Sequence, residues 1–218
     1  YILDDDLLIH ITHQKMSLYP TFFKKTMDIM LSLIVLILLF PLFPIVSIAI
    51  KIDSPGPVIY SQKRIGKGKR IFKLYKFRTM YKNAEKKQAD LESINEAKGP
   101  VFKIENDPRI TPIGKYLRKT SIDELPQLIN VLKGEMSIVG PRPLPVRDYK
   151  GFREDWHRRR FSVRPGITCL WQINGRSSVP FERWMELDME YIDQWSLWLD
   201  LKIILKTIPI VLKGAGAF

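Results

Sequence analysis

At 218 residues the chain is long enough for one well-packed domain, or one domain with an appendage, and an apolar fraction of 45% with five tryptophans excludes a disordered tail. A formal net charge of +12 points to an anionic partner: nucleic acid, a phospholipid surface or a phosphorylated small molecule. The single cysteine, Cys169, excludes an intrachain disulfide and a thiolate zinc cluster, and His10, His13 and His157 form no metal-ligand pattern.

Residues 1–20 open with "YILDDDLLIHITHQ", which reads as a strand-like or loose segment and as the tail of an upstream region. The apolar run that follows is too long for a signal peptide and lacks its small-residue cleavage site. From Ile29 to Ile50 lie 22 residues without a charge. As a helix they would reach roughly 33 Å, against a hydrocarbon core of about 30 Å. Pro41 and Pro44 each remove a backbone donor and press on the carbonyls of Ile37 and Phe40, so a kink or break is expected. Lys24 and Lys25 precede the run and Lys51 follows it. Positive charge at both ends is what a helix that enters and leaves on the cytoplasmic face requires. A proline-kinked span is the alternative.

Next, "DSPGPVIYSQKRIGKGKRIFKLYKFRTM" gives a turn at Ser54–Pro57 and then two extended stretches around Gly66–Gly68, a β-hairpin. Arg70, Lys73, Lys76 and Arg78 interleave there with Ile71, Leu74, Tyr75 and Phe77, a pattern that suits nucleic acid, anionic headgroups or simple solvation. Residues from Met80 to Gly99 are charged and helix-permissive, an exposed helix or a loop without nameable chemistry.

"SIDELPQLINVLKGEMSIVGPRPLP" places Asp123 and Glu124 side by side. Pro126 belongs in a first turn, which sets the N-cap at Asp123, the buried face at Leu125, Leu128, Ile129 and Leu132, and the stop at Gly134. Carboxylates on the positive end of a helix remain ionised, in a place that also draws phosphate. One can attack phosphorus while its neighbour holds a divalent metal. Arg118, five residues earlier, and Arg142, between Pro141 and Pro143, supply guanidinium forks for phosphate oxygens. A structural cap with arginine partners is the bland alternative. Further on, Arg158 to Arg160, Arg164, Trp171 and Arg176 form a group suited to a nucleotide or lipid phosphate, with Arg176 favoured after its glycine turn and Trp171 equally suited to a core. From Trp195 onward, Leu197, Trp198, Leu201, Leu205 and Ile208 repeat at helical spacing with Lys202 and Lys206 on other faces, an interfacial helix or a cover for the core.

The stretches "FKKTMDIMLSLIVLILLFPLF", "KIDSPGPVIYSQKRIG", "FKLYKFRTM", "DPRITPIGKYLRKTSIDELPQLINVLKGEMSIVGPRP", "RPGITCLWQINGR" and "LDMEYIDQWSLWLDLKIILKT" match in order a known family. The chain resembles the bacterial sugar transferases, or monotopic polyprenyl-phosphate phosphoglycosyl transferases. The resemblance implies transfer of a sugar 1-phosphate from a UDP-sugar to undecaprenyl phosphate with release of UMP, at the start of a surface glycan pathway. It implies Asp123 as the nucleophile that forms a covalent phosphosugar intermediate, Glu124 at Mg²⁺, and Lys76, Arg118, Arg142 and Asp188 around the substrate, a set that Arg78 and Arg176 are expected to join as further substrate-binding residues. Pro41 matches the proline at which the family's re-entrant helix breaks.

The expected fold class is therefore α+β. A re-entrant membrane helix over 21–52 precedes a small, mostly helical cytoplasmic catalytic domain over 53–218, with a short β-hairpin and interfacial amphipathic helices. The expected place is the cytoplasmic face of a bacterial inner membrane, with membrane lipid and no nucleic acid as partner, a homodimer allowed, and "GAGAF" as a natural end. Cys169 stands where the family has glycine after "PGIT", which puts the local backbone in question. A membrane-tethered basic module without turnover is the rival; for that module Asp123→Asn would hardly matter.

Overall fold

The apolar run folds as two helices, α1 (Leu18–Leu39) and α2 (Leu42–Asp53), in this computed structural model, which describes residues 18–96, 99–152, 154–175 and 179–214. No single described helix is long and apolar enough to cross a membrane; Thr21–Leu39 and Leu42–Asp53, bent by 64° to each other, meet that length and composition together. Pro41 alone makes the break. Only two turns bridge it, Phe40 N–H to Ile37 O at 3.3 Å and Phe43 N–H to Phe40 O at 3.1 Å. Pro44 falls in the first turn of α2, where its missing donor has no partner to lose, so the clash expected from it does not arise. The outer surfaces of the pair are apolar and open, with Ile37, Leu38, Phe40, Ile45, Ile48 and Ile52 all exposed.

The first half of α1 is tied into the body of the protein. Asp28 Oδ1 accepts from the Ile138 amide at 3.0 Å. Lys24 Nζ donates to Val139 O at 3.0 Å and to Asp200 Oδ2 at 2.5 Å. Asp200, fully buried, also accepts from the Tyr191 hydroxyl and from Trp195 Nε1. α2 ends at Ser54, and its exposed carbonyls are taken by one side chain: the Arg78 guanidinium donates to Ile50 O, Ser54 O, Ser54 Oγ and Pro55 O. Gly56, at φ 138°, lets the fork through, because a Cβ there would sit 2.0 Å from its terminal nitrogen.

Arg78 follows β2 (Ile71–Phe77), which pairs antiparallel with β1 (Ile59–Ile65) in the register Tyr60↔Lys76 and Ile65↔Ile71, closing the expected hairpin around Gly68 at φ 64°. Thr111 caps α3 (Pro112–Lys119), its Oγ1 accepting from the Gly114 amide at 3.0 Å with Pro112 next in line. α4 (Gln127–Leu132) leads to β3 (Ser137–Val139) and β4 (Leu144–Pro145), which adds to the other edge of β1. α5 (Val146–Lys150) follows; β5 (Gly166–Thr168) then runs parallel to β3, so close that a Cβ on Gly166 would lie 2.1 Å from the Gly140 nitrogen. α6 (Leu170–Ile173), α7 (Phe181–Asp193) and α8 (Leu197–Lys213) complete the order, a mixed α+β fold. On α8, Ile203 faces the core, whereas Trp198, Leu201, Leu205 and Ile208 are exposed, so the apolar stripe read from the sequence is not the side that packs.

The charged stretch after Met80 forms turns and a 3-10 segment, Lys86–Ile94. Residues 1–17, Arg176 and all of "GAGAF" but Gly214 lie outside the described residues.

Candidate active site

The acidic pair is set by a turn, not by a helix start. α3 stops at Lys119, and Ser121 adopts φ 56°, a left-handed conformation that a non-glycine residue enters at a cost of roughly 1 kcal/mol or more. The chain reverses there into a 3-10 turn, Ile122–Glu124, whose Glu124 amide bonds Ser121 O at 3.1 Å. α4 then begins at Gln127 with Pro126 as N-cap, not with Asp123. Its buried side is Gln127, Leu128, Asn130 and Val131, with Ile129 exposed, because α1 covers one flank and β2 another. Gly134 at φ 75° ends it as expected. A polar residue within this buried side has a purpose: Asn130 Nδ2 donates to Lys73 O at 2.7 Å, and its Oδ1 accepts from the Tyr75 amide at 3.1 Å. The amide completes the free edge of β2 as a further strand would, and so fixes Lys76 against the acidic pair.

Lys76 Nζ reaches Glu124 Oε1 at 2.8 Å and Asp123 Oδ2 at 3.5 Å; Arg142 contacts the same Glu124 oxygen at 2.7 Å. Burial pushes the Glu124 carboxyl up, but Arg142 and Lys76 outweigh it and hold it well below the usual carboxylate range. For Asp123, 5% exposed, burial is the largest influence and raises the pKa; Lys76 pulls it down and Glu124 adds to the rise. The helix dipole expected to keep both ionised is thus replaced by side-chain cations for Glu124 and opposed by burial for Asp123. Among the described residues, no donor bonds the Asp123 carboxylate. Its lone pairs are open.

These groups floor a cleft of about 660 Å³. Arg118, whose Nε donates to Thr79 Oγ1 at 3.0 Å, lines it with Lys76, Arg142 and Arg78. Arg78 reaches the cleft edge with both terminal nitrogens bonded to the end of α2, which makes it a clip for the helix that leads to the site, while its Nε has no partner among the described residues. Asp188 does not line the cleft. It lies beneath, 2.8 Å from Arg160, whose guanidinium donates to Arg142 O at 2.7 Å, so its reach to the site runs through two arginines. Burial lifts the Asp188 carboxyl from 3.8 to about 7 against the pull of Arg160. A carboxyl raised on folding adds stability in full below its unfolded value, and that contribution is lost as pH climbs through 7. Melting temperatures taken from pH 4 to 8 should therefore show a downward slope that Asp188→Asn flattens.

Trp171 is both core and site: its ring packs on Trp184 at 4.7 Å, and it lines the cleft with Gln172. Cys169 is buried at φ −160° and ψ 174°, ordinary extended backbone, so its place in a glycine position imposes no special geometry. Arg158 and Arg159 pair with Asp155 and Asp193, and Arg164 lines a separate groove beside Gly68 and Gly134. Sequence reading passed over Tyr60, Gln62 and Arg64 and the turn at Asn83–Glu85, all of which line the cleft. The signal was present for the first three, which occupy alternate positions of β1.

A metal would find few ligands here. No group of three or more His, Cys, Asp or Glu suited to a metal occurs among the described residues. Glu124 Oε1 is taken by two cations, and its Oε2 accepts no hydrogen bond among the described residues. That donor set fits a magnesium ion that draws its other ligands from substrate phosphates and water, the usual habit of this ion.

Over residues 19–214 the chain matches the family described as bacterial sugar transferase. It is 53% identical over 163 residues to the galactosyl transferase CpsE of Streptococcus agalactiae serotype III, covering 74% of this chain and 36% of that protein. Against the undecaprenyl-phosphate galactose phosphotransferase of Salmonella typhimurium the figures are 38% over 216 residues, 97% of this chain and 45% of the relative. Exopolysaccharide production protein ExoY of Sinorhizobium fredii is 40% identical over 199 residues, 89% of this chain and 88% of the relative. The chain thus spans less than half the length of the first two and most of the third.

Proposed function

This chain belongs to the bacterial sugar transferase family, and on that premise we propose that it moves a sugar 1-phosphate from a UDP-sugar to undecaprenyl phosphate, releases UMP, and so starts a surface polysaccharide such as an exopolysaccharide or capsule. One observation carries the reading: a buried aspartate whose carboxylate accepts no hydrogen bond among the described residues, set on the floor of a cationic cleft 3.5 Å from Lys76. A basic module that only binds anions has no use for such a group.

In the first displacement an Asp123 oxygen bonds to the phosphorus that carries the sugar, the bond from that phosphorus to the UMP oxygen breaks, and UMP leaves with the electron pair. In the second, a phosphate oxygen of undecaprenyl phosphate attacks the same phosphorus. The aspartyl bond breaks, the carboxylate returns, and undecaprenyl diphosphate sugar departs. Lys76, Arg118 and Arg142 grip the phosphate oxygens, with the guanidinium forks matched to their geometry. Mg²⁺ on Glu124, when bound, supplies further positive charge to neutralise the transferring phosphoryl group. The burial that raises the Asp123 pKa also strips water from the nucleophile. UMP release from a panel of UDP-sugars, with Mg²⁺ and lipid acceptor present, tests the reading; a panel in which none supports release sinks it.

The proposal puts the protein on the cytoplasmic face of the inner membrane, with the helix pair re-entrant in one leaflet. Its support is the 64° bend, the open apolar surfaces and the cations at both ends. In intact cells, Lys25→Cys and Lys51→Cys should both resist an impermeant thiol reagent from outside, over the small background of Cys169 at 1% exposure. Labelling at one end only would mean a span.

A further inference from the structure

One edge of the cleft carries a carboxylate, Glu85, that forms no ion pair among the described residues. Tyr60 lies directly across from Lys76 in the β1–β2 register, which puts its side chain on the same face of the hairpin as the lysine that reaches Asp123. Strand alternation turns Gln62 to the same side, and both line the cleft. Glu85 closes this edge from the turn beyond β2: its Oε1 accepts from the Tyr60 hydroxyl and from Gln62 Nε2, the latter at 3.2 Å. The turn itself is pinned. Asn83 takes a left-handed φ of 67°, and the Ala84 carbonyl accepts from Arg109, which Asp107 clamps in turn.

No cation pairs with Glu85 among the described residues; two neutral donors hold it. A carboxylate held by neutral donors, with no ion pair of its own, repels phosphate oxygens, so the part of a bound donor in direct contact with it is uncharged. On a UDP-sugar the uridine and the hexose qualify. The uridine, base and ribose together, is separated from the attacked phosphorus by a second phosphate, whereas the hexose is bonded to that phosphorus through one oxygen. An edge next to Lys76 and Asp123 meets the hexose. We infer that Tyr60, Gln62 and Glu85 form the subsite that holds the hydroxyls of the transferred sugar, with the free Glu85 oxygen and the Gln62 amide reading their arrangement. This rests on the donor proposed above.

Glu85→Gln keeps the shape and removes the charge, Gln62→Ala removes the amide, and Tyr60→Phe keeps the ring. Each full-length variant, in lipid nanodiscs, is assayed for kcat/KM over a panel of UDP-hexoses and for inhibition by UMP, which carries no sugar. The expected result is a fall of about tenfold or more with the preferred UDP-hexose and a changed order of preference, with UMP inhibition kept within about twofold and melting temperatures near that of the parent. Equal weakening of UMP, or an unaltered preference in all three variants, overturns the subsite. A parent chain inert toward the whole panel would fail the donor reading itself, whereas an active parent with unaltered variants fails this inference alone.

Discussion

Asp123→Asn should lower UMP release by about a thousandfold or more, since the amide keeps the shape of the side chain and has no anionic oxygen to bond to phosphorus. Stability should move the other way. Burial raises the Asp123 pKa, which means that the folded protein disfavours the carboxylate relative to the unfolded chain. A neutral isostere therefore leaves the melting temperature at neutral pH unchanged or higher. Loss of activity with a lower melting temperature would instead identify Asp123 as a structural partner of Lys76. Mass spectrometry gives a second readout: the parent, quenched with donor and no acceptor, should carry a sugar phosphate on the peptide that contains Asp123, and the variant should carry none.

Lys24→Met should destabilise the fold by about 3–5 kcal/mol, because it leaves Asp200, fully buried, without the cation 2.5 Å away. For a chain of this length that corresponds to a fall in melting temperature on the order of 10 °C. Adding Asp200→Asn to the Met variant should recover a large part of the loss, since the stranded charge is gone while the asparagine oxygen can still accept from Trp195 and Tyr191 keeps Val139 O as its acceptor. If the single variant melts with the parent, the lysine is not what binds α1 to α8, and Asp28 with the Ile138 amide must hold the helix alone.

Local chemistry was legible before any coordinates. A proline inside an apolar run marks where a helix can break, and of Pro41 and Pro44 the structure breaks at Pro41. Glycine at a hairpin turn and glycine after a helix behaved the same way at Gly68 and Gly134. Tertiary contacts were not legible. Pro126 stands at the N-cap of α4 and not in a first turn begun at Asp123, and the turn before it hangs on a left-handed serine, a conformation that no residue pattern announces. Asn130 reads as a solvent-facing position until β2 is known to need an edge partner. The resemblance alone points to Asp188, and only packing shows that it acts from below through Arg160. The sugar-facing edge was half visible: the alternation of Tyr60 and Gln62 can be counted, but Glu85, 23 residues beyond Gln62, cannot be joined to them without the fold.

The Arg78 clip has a mechanical outcome. One guanidinium ties the last turn of α2 to the strand that carries Lys76 two positions earlier, so on the proposed topology the immersion depth of α2 is transmitted directly to the acidic pair. Bilayer thickness would then act as a ruler, setting how far the reacting phosphorus stands above the plane in which the lipid carrier's headgroup drifts.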